Sequence, residues 1–196
     1  MIYRTIIKRI LDIVISLIAL SFITIIGIPV AIAIKLEDGG SVFFLGTRYG
    51  KNMKKFKMYK FRSMKMNAKD IRNADGTTYN SANDDRQTKV GRFLRKTSID
   101  ELPQFINVLK GDMSLVGPRP SPMGNEHTYT DFVKRKFRVR PGITGYNQAL
   151  LRNSATLEER YKNDVYYAEH VSLFFDIKII VMTVKGVLGR KNIYNS

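Results

Sequence analysis

Residues 13–34 read IVISLIALSFITIIGIPVAIAI, 22 positions in succession without a charged side chain. As a straight helix this run would reach about 33 Å, enough to cross the hydrocarbon core of a bilayer. A cleaved secretory signal fits poorly. Its apolar region is usually about 7–15 residues, and the remainder to be exported here is strongly basic. A simple spanning helix fits poorly too. Basic residues mark the cytoplasmic flank of a membrane segment, yet they lie on both sides. Arg4, Lys8 and Arg9 precede the run, and Lys35, Arg48, Lys51, Lys54, Lys55, Lys57 and Lys60 follow it. Inside it, Pro29 has no N–H for the Ile25 carbonyl and Gly27 weakens the helix further. Ser21 and Thr24, one turn upstream, can bond carbonyls that a kink frees. The sequence therefore predicts a re-entrant hairpin over residues 1–36, a helix-break-helix turning at Gly27 to Pro29 with both ends cytoplasmic. Asp12, beside Arg9 at the entrance, is expected at headgroup level, because a carboxylate deeper in lipid is costly.

The 196-residue chain carries 33 Lys plus Arg against 17 Asp plus Glu, a formal charge of +16. Such an excess points to an anionic partner: nucleic acid, a phospholipid surface or a phosphorylated substrate. Cysteine is absent, which excludes disulfide and thiolate chemistry. His127 and His170 stand far apart without ligand-like neighbours, which argues against a histidine metal site. Residues 37–196 are expected to form one mostly helical domain with a short β element, an α+β class. SVFFLGTRYG reads as a strand and turn, and KKFKMYKFRSM alternates basic with apolar as a strand does. Lys60 and Arg62 share one face of it, either as solvated edge-strand cations or as groups aimed at a phosphate. Residues 66–89 are polar and aperiodic and read as a mobile loop. VGRFLRKTS reads as a short basic helix carrying Arg92, Arg95 and Lys96. Asn125 to Arg138 reads as a polar helix and RPGITG as a turn. From Thr156 the pattern is helical. LFFDIKIIVMTVKGVL is apolar with scattered lysines, so it packs on the core or lies along a membrane surface as an interfacial amphipathic helix.

Two adjacent acids, Asp100 and Glu101, interrupt this basic chain within TSIDELPQFINVLKGDMSLVGPRP. Leu102, Phe105, Ile106 and Leu109 recur at helical spacing, and Gly111 can end the helix. Ser98 and Glu101 fit a capping box, and Asp100 fits an N-cap that leaves Pro103 harmless; the spacing allows both. Either frame puts the carboxylates at the positive end of the helix, which favours their charged form. Ordinary capping is thus one reading. Against it stand Arg95 one turn upstream, Arg119 held rigid in GPRP with Pro118, Arg140 before a second proline, and the Lys60–Arg62 strand. Rigid arginines suit phosphate recognition. A carboxylate among them can bind Mg²⁺ or attack phosphorus.

The apolar hairpin with its internal proline, YKFRSM, the segment TKVGRFLRKTSIDELPQFINVLKGDMSLVGPRP, VRPGITG and DVYYAEHVSLFFDIKII together resemble the monotopic bacterial phosphoglycosyl transferases. The likeness covers nearly the whole chain in order and is to the small form of that family. It implies a membrane enzyme on the cytoplasmic face of the bacterial inner membrane. Its substrates would be a UDP-sugar and undecaprenyl phosphate, in a bilayer of anionic phospholipid, and downstream glycosyltransferases would take up its product. By this likeness Asp100 is the nucleophile on the β-phosphorus and binds Mg²⁺, and Glu101 assists proton transfer or positions Asp100 and the metal. Lys60, Arg95 and Arg119 would hold phosphates. Arg140, Gly142, Thr144 and Gly145 of RPGITG would shape the nucleotide pocket. Two departures stand out. Gly27-Ile28-Pro29 replaces a Ser-Pro break, and Tyr146-Asn147-Gln148 with Leu151-Arg152-Asn153 replaces a Trp-Ala-Gln and Gly-Arg-Asn pattern.

Two other classes compete. A membrane-tethered nucleic-acid-binding protein would use basic residues interleaved with Phe and Tyr, and a non-enzymatic scaffold would need only the anchor. The nucleic-acid reading leaves the acid pair and the rigid GPRP unexplained, so no nucleic-acid partner is expected.

Overall fold

A computed structural model describes residues 2–73, 79, 81, 83–151 and 154–189. The apolar run forms most of helix α1, Lys8–Asp38, entered through a π turn at Tyr3–Ile7. Gly39, in the left-handed conformation at φ 71°, ends it and donates to the Lys35 carbonyl at 3.0 Å. The helical backbone continues through Gly27 and Pro29, so the expected break is not an interruption of secondary structure. Ser21 and Thr24 bond the carbonyls of Leu17 and Leu20, each four residues back. They do not serve the Ile25 carbonyl that Pro29 deprives of a donor. One missing bond among the many of a 31-residue helix is tolerated.

Most of α1 touches nothing in the protein. Phe22 and Ile25 are 65% and 71% exposed, and only Asp12, Ser16 and Ile34 are buried. Apolar surface on this scale requires a non-aqueous partner. Both ends of the helix nevertheless dock on the same domain. Near the start, Arg9 donates to the Val108 and Leu109 carbonyls at 2.6 and 2.8 Å. Asp12 accepts from Ser114 Oγ and Leu115 N at 3.1 and 2.9 Å. Near the end, Ile34 packs with Phe61 and Leu94, Glu37 accepts from Lys89 N at 2.5 Å, and Asp38 pairs with Arg62. Asp12 is therefore buried in protein contacts, whereas the sequence suggested a headgroup position.

Strands β1 (Phe43–Tyr49) and β2 (Lys55–Phe61) form an antiparallel hairpin in continuous register from Phe43↔Phe61 to Tyr49↔Lys55. A short strand, Ser121–Pro122, pairs with Arg48 and Tyr49 on the other side of β1. Helix α2 (Lys89–Thr97) has Thr88 as its N-cap, accepting from Gly91 N at 2.9 Å. It leads through a 3₁₀ turn, Ile99–Glu101, into α3 (Gln104–Lys110), which Gly111 closes at φ 89°. The strand after α3, Ser114–Val116, pairs in parallel with Gly142–Thr144. RPGITG is thus partly strand: its glycines permit backbone-to-backbone approach as well as turning.

Asn125–Arg138, expected as one polar helix, is broken into a 3₁₀ turn, a four-residue helix at Asp131–Lys134 and a second 3₁₀ turn. It is not polar throughout. Tyr129, Val133 and Phe137 form a buried cluster with Tyr49, a contact that local charge counting does not register. The last two helices are Leu157–Glu169, opened by a capping box from Thr156 and Glu159, and Leu173–Leu188. Ile179 on the latter is fully buried while Phe174 is 84% exposed, so that helix both packs on the core and presents apolar side chains outward. The 66–89 segment lies partly outside the described residues, as do Arg152 and Asn153.

α3 is fixed to β2 by one side chain. Asn107, fully buried, accepts from Tyr59 N at 2.9 Å and donates to the Lys57 carbonyl at 2.7 Å. Its amide thus takes the place of a neighbouring strand along this stretch of edge. Asn107→Leu would leave both backbone groups buried and unpaired. A loss of about 2–4 kcal/mol is expected, read as a lower denaturant midpoint in detergent solution.

Candidate active site

The acid pair sits between α2 and α3, and neither capping frame is used. Ser98 adopts the left-handed conformation at φ 59° and makes no side-chain cap bond. α3 starts at Gln104 with Pro103 as its N-cap residue, so the missing proline N–H falls where no helical acceptor exists. Asp100 and Glu101 occupy the 3₁₀ turn and are left available for tertiary contacts.

Lys60 reaches them because of strand parity. Phe56 and Met58 point from β2 toward α3, and Lys60 falls on the same face, replacing the next apolar residue. Its Nζ bonds Glu101 Oε1 at 2.5 Å. Arg119 Nη2 lies 3.6 Å from the same oxygen. Glu101 thereby joins two cations, of which Arg119 is half exposed and available to an incoming anion. Asp100 is 8% exposed and makes no side-chain hydrogen bond among the described residues. It feels the charges of Lys60, Glu101, Arg95 and Arg119.

The acids diverge electrically. Burial pushes the Asp100 carboxyl up to about 6, with Lys60 opposing the rise and the Glu101 charge adding to it. Burial also opposes ionisation of Glu101, but Lys60 and Arg119 outweigh it and hold that carboxyl well below its ordinary range. The expectation that both acids are favoured as anions holds for Glu101 alone. Helix position gives no measure of desolvation, which dominates at Asp100.

Arg119 is set by close packing of glycines. A Cβ on Gly142 would come within 2.1 Å of Gly117 N, and one on Gly145 within 2.1 Å of Gly117 O. The GPRP and PGITG segments are therefore knitted backbone to backbone, with Gly117 N donating to Thr144 O at 2.9 Å and Gly142 N to Pro118 O at 2.9 Å. Thr144 Oγ1 bonds Thr183 Oγ1 at 2.7 Å and faces the last helix. Arg140 donates through Nε to Gly111 O at 2.8 Å, and Arg62 pairs with Asp38. The structure thus gathers Lys60, Arg95, Asp100, Glu101 and Arg119, while Arg62, Arg140 and Thr144 make other contacts.

Sequence reasoning passed over Arg48 as one flanking cation among many. On β1 it is close enough to Arg119 that burial, then that neighbouring charge, lower its pKa. The two are separated by 71 positions and meet only through the pairing of β1 with Ser121–Pro122, which no local pattern shows. Gln148, named above within a departure from the family pattern, has both polar atoms of its amide buried without a partner among the described residues, beside Gly145.

No cluster of three or more acidic or histidine side chains capable of holding a metal exists among the described residues. A divalent cation here would have one unbonded carboxylate, Asp100, with Glu101 adjacent, and would need oxygen ligands from a substrate. That pattern suits Mg²⁺, which keeps few protein ligands and shares phosphate oxygens.

A sequence profile described as bacterial sugar transferase matches residues 3–190. The chain is 44% identical over 189 residues to the galactosyl transferase CpsE of Streptococcus agalactiae. It is 42% identical over 192 residues to the UDP-glucose:undecaprenyl-phosphate glucose-1-phosphate transferase of Escherichia coli. It is 41% identical over 188 residues to the uncharacterized sugar transferase EpsL of Bacillus subtilis. These alignments cover 92%, 93% and 96% of this chain, but 42%, 40% and 90% of the relatives' own lengths. The chain thus spans under half of the first two and nearly all of the third.

Carboxyl titration followed by ¹³C NMR, with Asp100→Asn to assign the signal, is expected to show Asp100 losing its proton near pH 6. Lys60→Gln removes the strongest charge favouring the anion, so the midpoint should move upward.

Proposed function

Because the chain belongs to the bacterial sugar transferase family, we propose that it transfers a sugar-1-phosphate from a UDP-sugar to undecaprenyl phosphate at a membrane surface. The observation that carries this reading is the unbonded Asp100 carboxylate, flanked by an acid that is already neutralised by two cations. Several relatives are named for transfer to undecaprenyl phosphate, among them three whose respective sugars are glucose, N-acetylgalactosamine and galactose. Identities of 42%, 39% and 40% to the three mean that likeness supports the acceptor class more than any one sugar.

In the first step an Asp100 carboxylate oxygen bonds the β-phosphorus. The bridging P–O bond to the α-phosphate breaks, and its electron pair leaves on UMP. In the second, a phosphate oxygen of undecaprenyl phosphate bonds the same phosphorus. The Asp100–phosphorus bond then breaks, restoring the carboxylate and giving undecaprenyl-diphosphate-sugar. Arg119, Lys60 and Arg95 receive the negative charge that builds on the phosphates. Glu101, held ionised, is a poor proton donor, so its role is to orient Lys60 and Arg119. Mg²⁺ bound with Asp100 would offset charge between the carboxylate and the diphosphate. Burial that raises the Asp100 pKa also makes its anion more basic, and thus a better nucleophile once deprotonated.

Residues 1–36 would serve as the anchor and 37–196 as the catalytic domain. A monotopic arrangement at the cytoplasmic face of the inner membrane is supported by the docking of both α1 ends. Arg9 and Asp12 hold one side of the domain, Glu37 and Asp38 another. A single charged domain cannot lie on both faces of a bilayer, so a helix tied to it at each end dips in and returns. Its turn would be a bend around Gly27 to Pro29 rather than a gap in the helix.

Asp100→Asn should abolish UMP release from UDP-sugars while membrane association persists. Rapid-quench mass spectrometry of the wild type should show a phosphosugar adduct on Asp100. Turnover at near-normal rate in the variant would remove the nucleophile assignment. For topology, Ile2→Cys and Leu36→Cys introduce thiols into a chain that has none, at positions 67% and 83% exposed. Both should resist an impermeant thiol reagent added outside intact cells; labelling at just one would mean that α1 spans.

A further inference from the structure

The turn between β1 and β2 carries three exposed lysines that the acid pair does not use. Lys51, Lys54 and Lys55 form one side of an open cleft of about 410 Å³, and Gly111, Asp112 and Arg140 form the other. Four cations thus surround one carboxylate. That carboxylate is itself bonded, Asp112 Oδ2 accepting from Asn107 Nδ2 at 3.2 Å. The Arg140 guanidinium is anchored through Nε on the Gly111 carbonyl, which makes it a fixed part of the wall. Lysines supply mobile point charges and a fixed guanidinium supplies directed donors, a combination suited to a phosphate group.

The cleft is remote from the acid pair. Lys55 and Lys60 are five residues apart on extended β2, about 17 Å. It lies at the other end of α3, where Gly111 also meets α1. A Cβ at Gly111 would sit 3.4 Å from Arg9 Nη2, and Arg9 caps the preceding carbonyls of Val108 and Leu109. Arg9 stands one helical turn before the apolar run, on the same helix, so the cleft lies beside the segment by which the chain would enter lipid.

We propose that this cleft holds the phosphate of an anionic membrane phospholipid, as a second anion site separate from the Asp100 centre. It rests on the reading of α1 as membrane-embedded. Soluble anions lack that adjacency; a lipid headgroup is delivered to it by the bilayer itself, and the anionic leaflet is where basic surface residues gain attraction.

The full chain is placed in nanodiscs of phosphatidylcholine, with or without phosphatidylglycerol, and its lysines are acetylated briefly and counted by mass spectrometry. Recovery of the chain in lipid-only discs of phosphatidylcholine tests the membrane reading by itself; failure to incorporate would overturn both. With phosphatidylglycerol, Lys51, Lys54 and Lys55 should react about fivefold more slowly, the ratio one basic residue gains at an anionic surface. Lys134 and Lys162, 54% and 65% exposed on other helices, should not change. Arg140→Gln should reduce the protection. Equal labelling in both discs overturns the proposal, and so does protection unaffected by Arg140→Gln, which would be general surface charge. Protection by inorganic phosphate or UDP in neutral discs would assign the cleft to a soluble anion and overturn the lipid.

Discussion

The buried amide of Asn107 sets the geometry on which the site depends. By satisfying a donor and an acceptor on β2, it fixes α3 at one height along that strand. Glu101 precedes α3 and Lys60 follows Tyr59, so the same pair of bonds brings their charged ends together. A slip of one residue on an edge strand would turn Lys60 to the opposite face. The amide prevents it. The ion pair is therefore a consequence of backbone register, and its own contribution to stability need not be large.

A second set of constraints arrives from the apolar helix α1. Asp12 bonds Ser114 and Leu115 on the strand that continues into GPRP. Asp176, also buried, gathers Lys8, Tyr3 and Tyr167, and Tyr167 donates in turn to the Val116 carbonyl. Two carboxylates thus tie the start of α1 to the strand beside Arg119. Buried charge is costly unless paired and hydrogen-bonded, and both acids meet that condition. Helix α1 and the GPRP loop thus belong to one bonded arrangement.

Much of this was legible in the chain. The apolar run, the β1–β2 alternation, the basic α2 and the Leu102–Leu109 periodicity all foretold elements close to where they lie. The acid pair and its cations could be gathered from motif likeness, and strand alternation already offered Lys60 as a cation aimed at an anion, on the face it shares with Phe56 and Met58. Other features depended on distant partners. Asn125 to Arg138 breaks up because Tyr129, Val133 and Phe137 pack on Tyr49. Asp100 differs from Glu101 because burial acts on both while Lys60 and Arg119 contact only the latter's oxygen. Neither effect has a signature within a few residues of its site. Pro29 removes one bond from α1 without interrupting its helical backbone, because the bonds on either side of it persist.

An anchor docked at both ends has a consequence for how reactants meet. A domain swinging on a single tether would explore a hemisphere above the bilayer, and its reactive carboxylate would align with a lipid phosphate only intermittently. On the proposed membrane reading, a body tied at Arg9 and again at Asp38 would drift and spin in the plane but would not tilt freely out of it. Encounter with the proposed long-chain lipid would then be a search in two dimensions at constant depth, while the proposed nucleotide alone would arrive from the third.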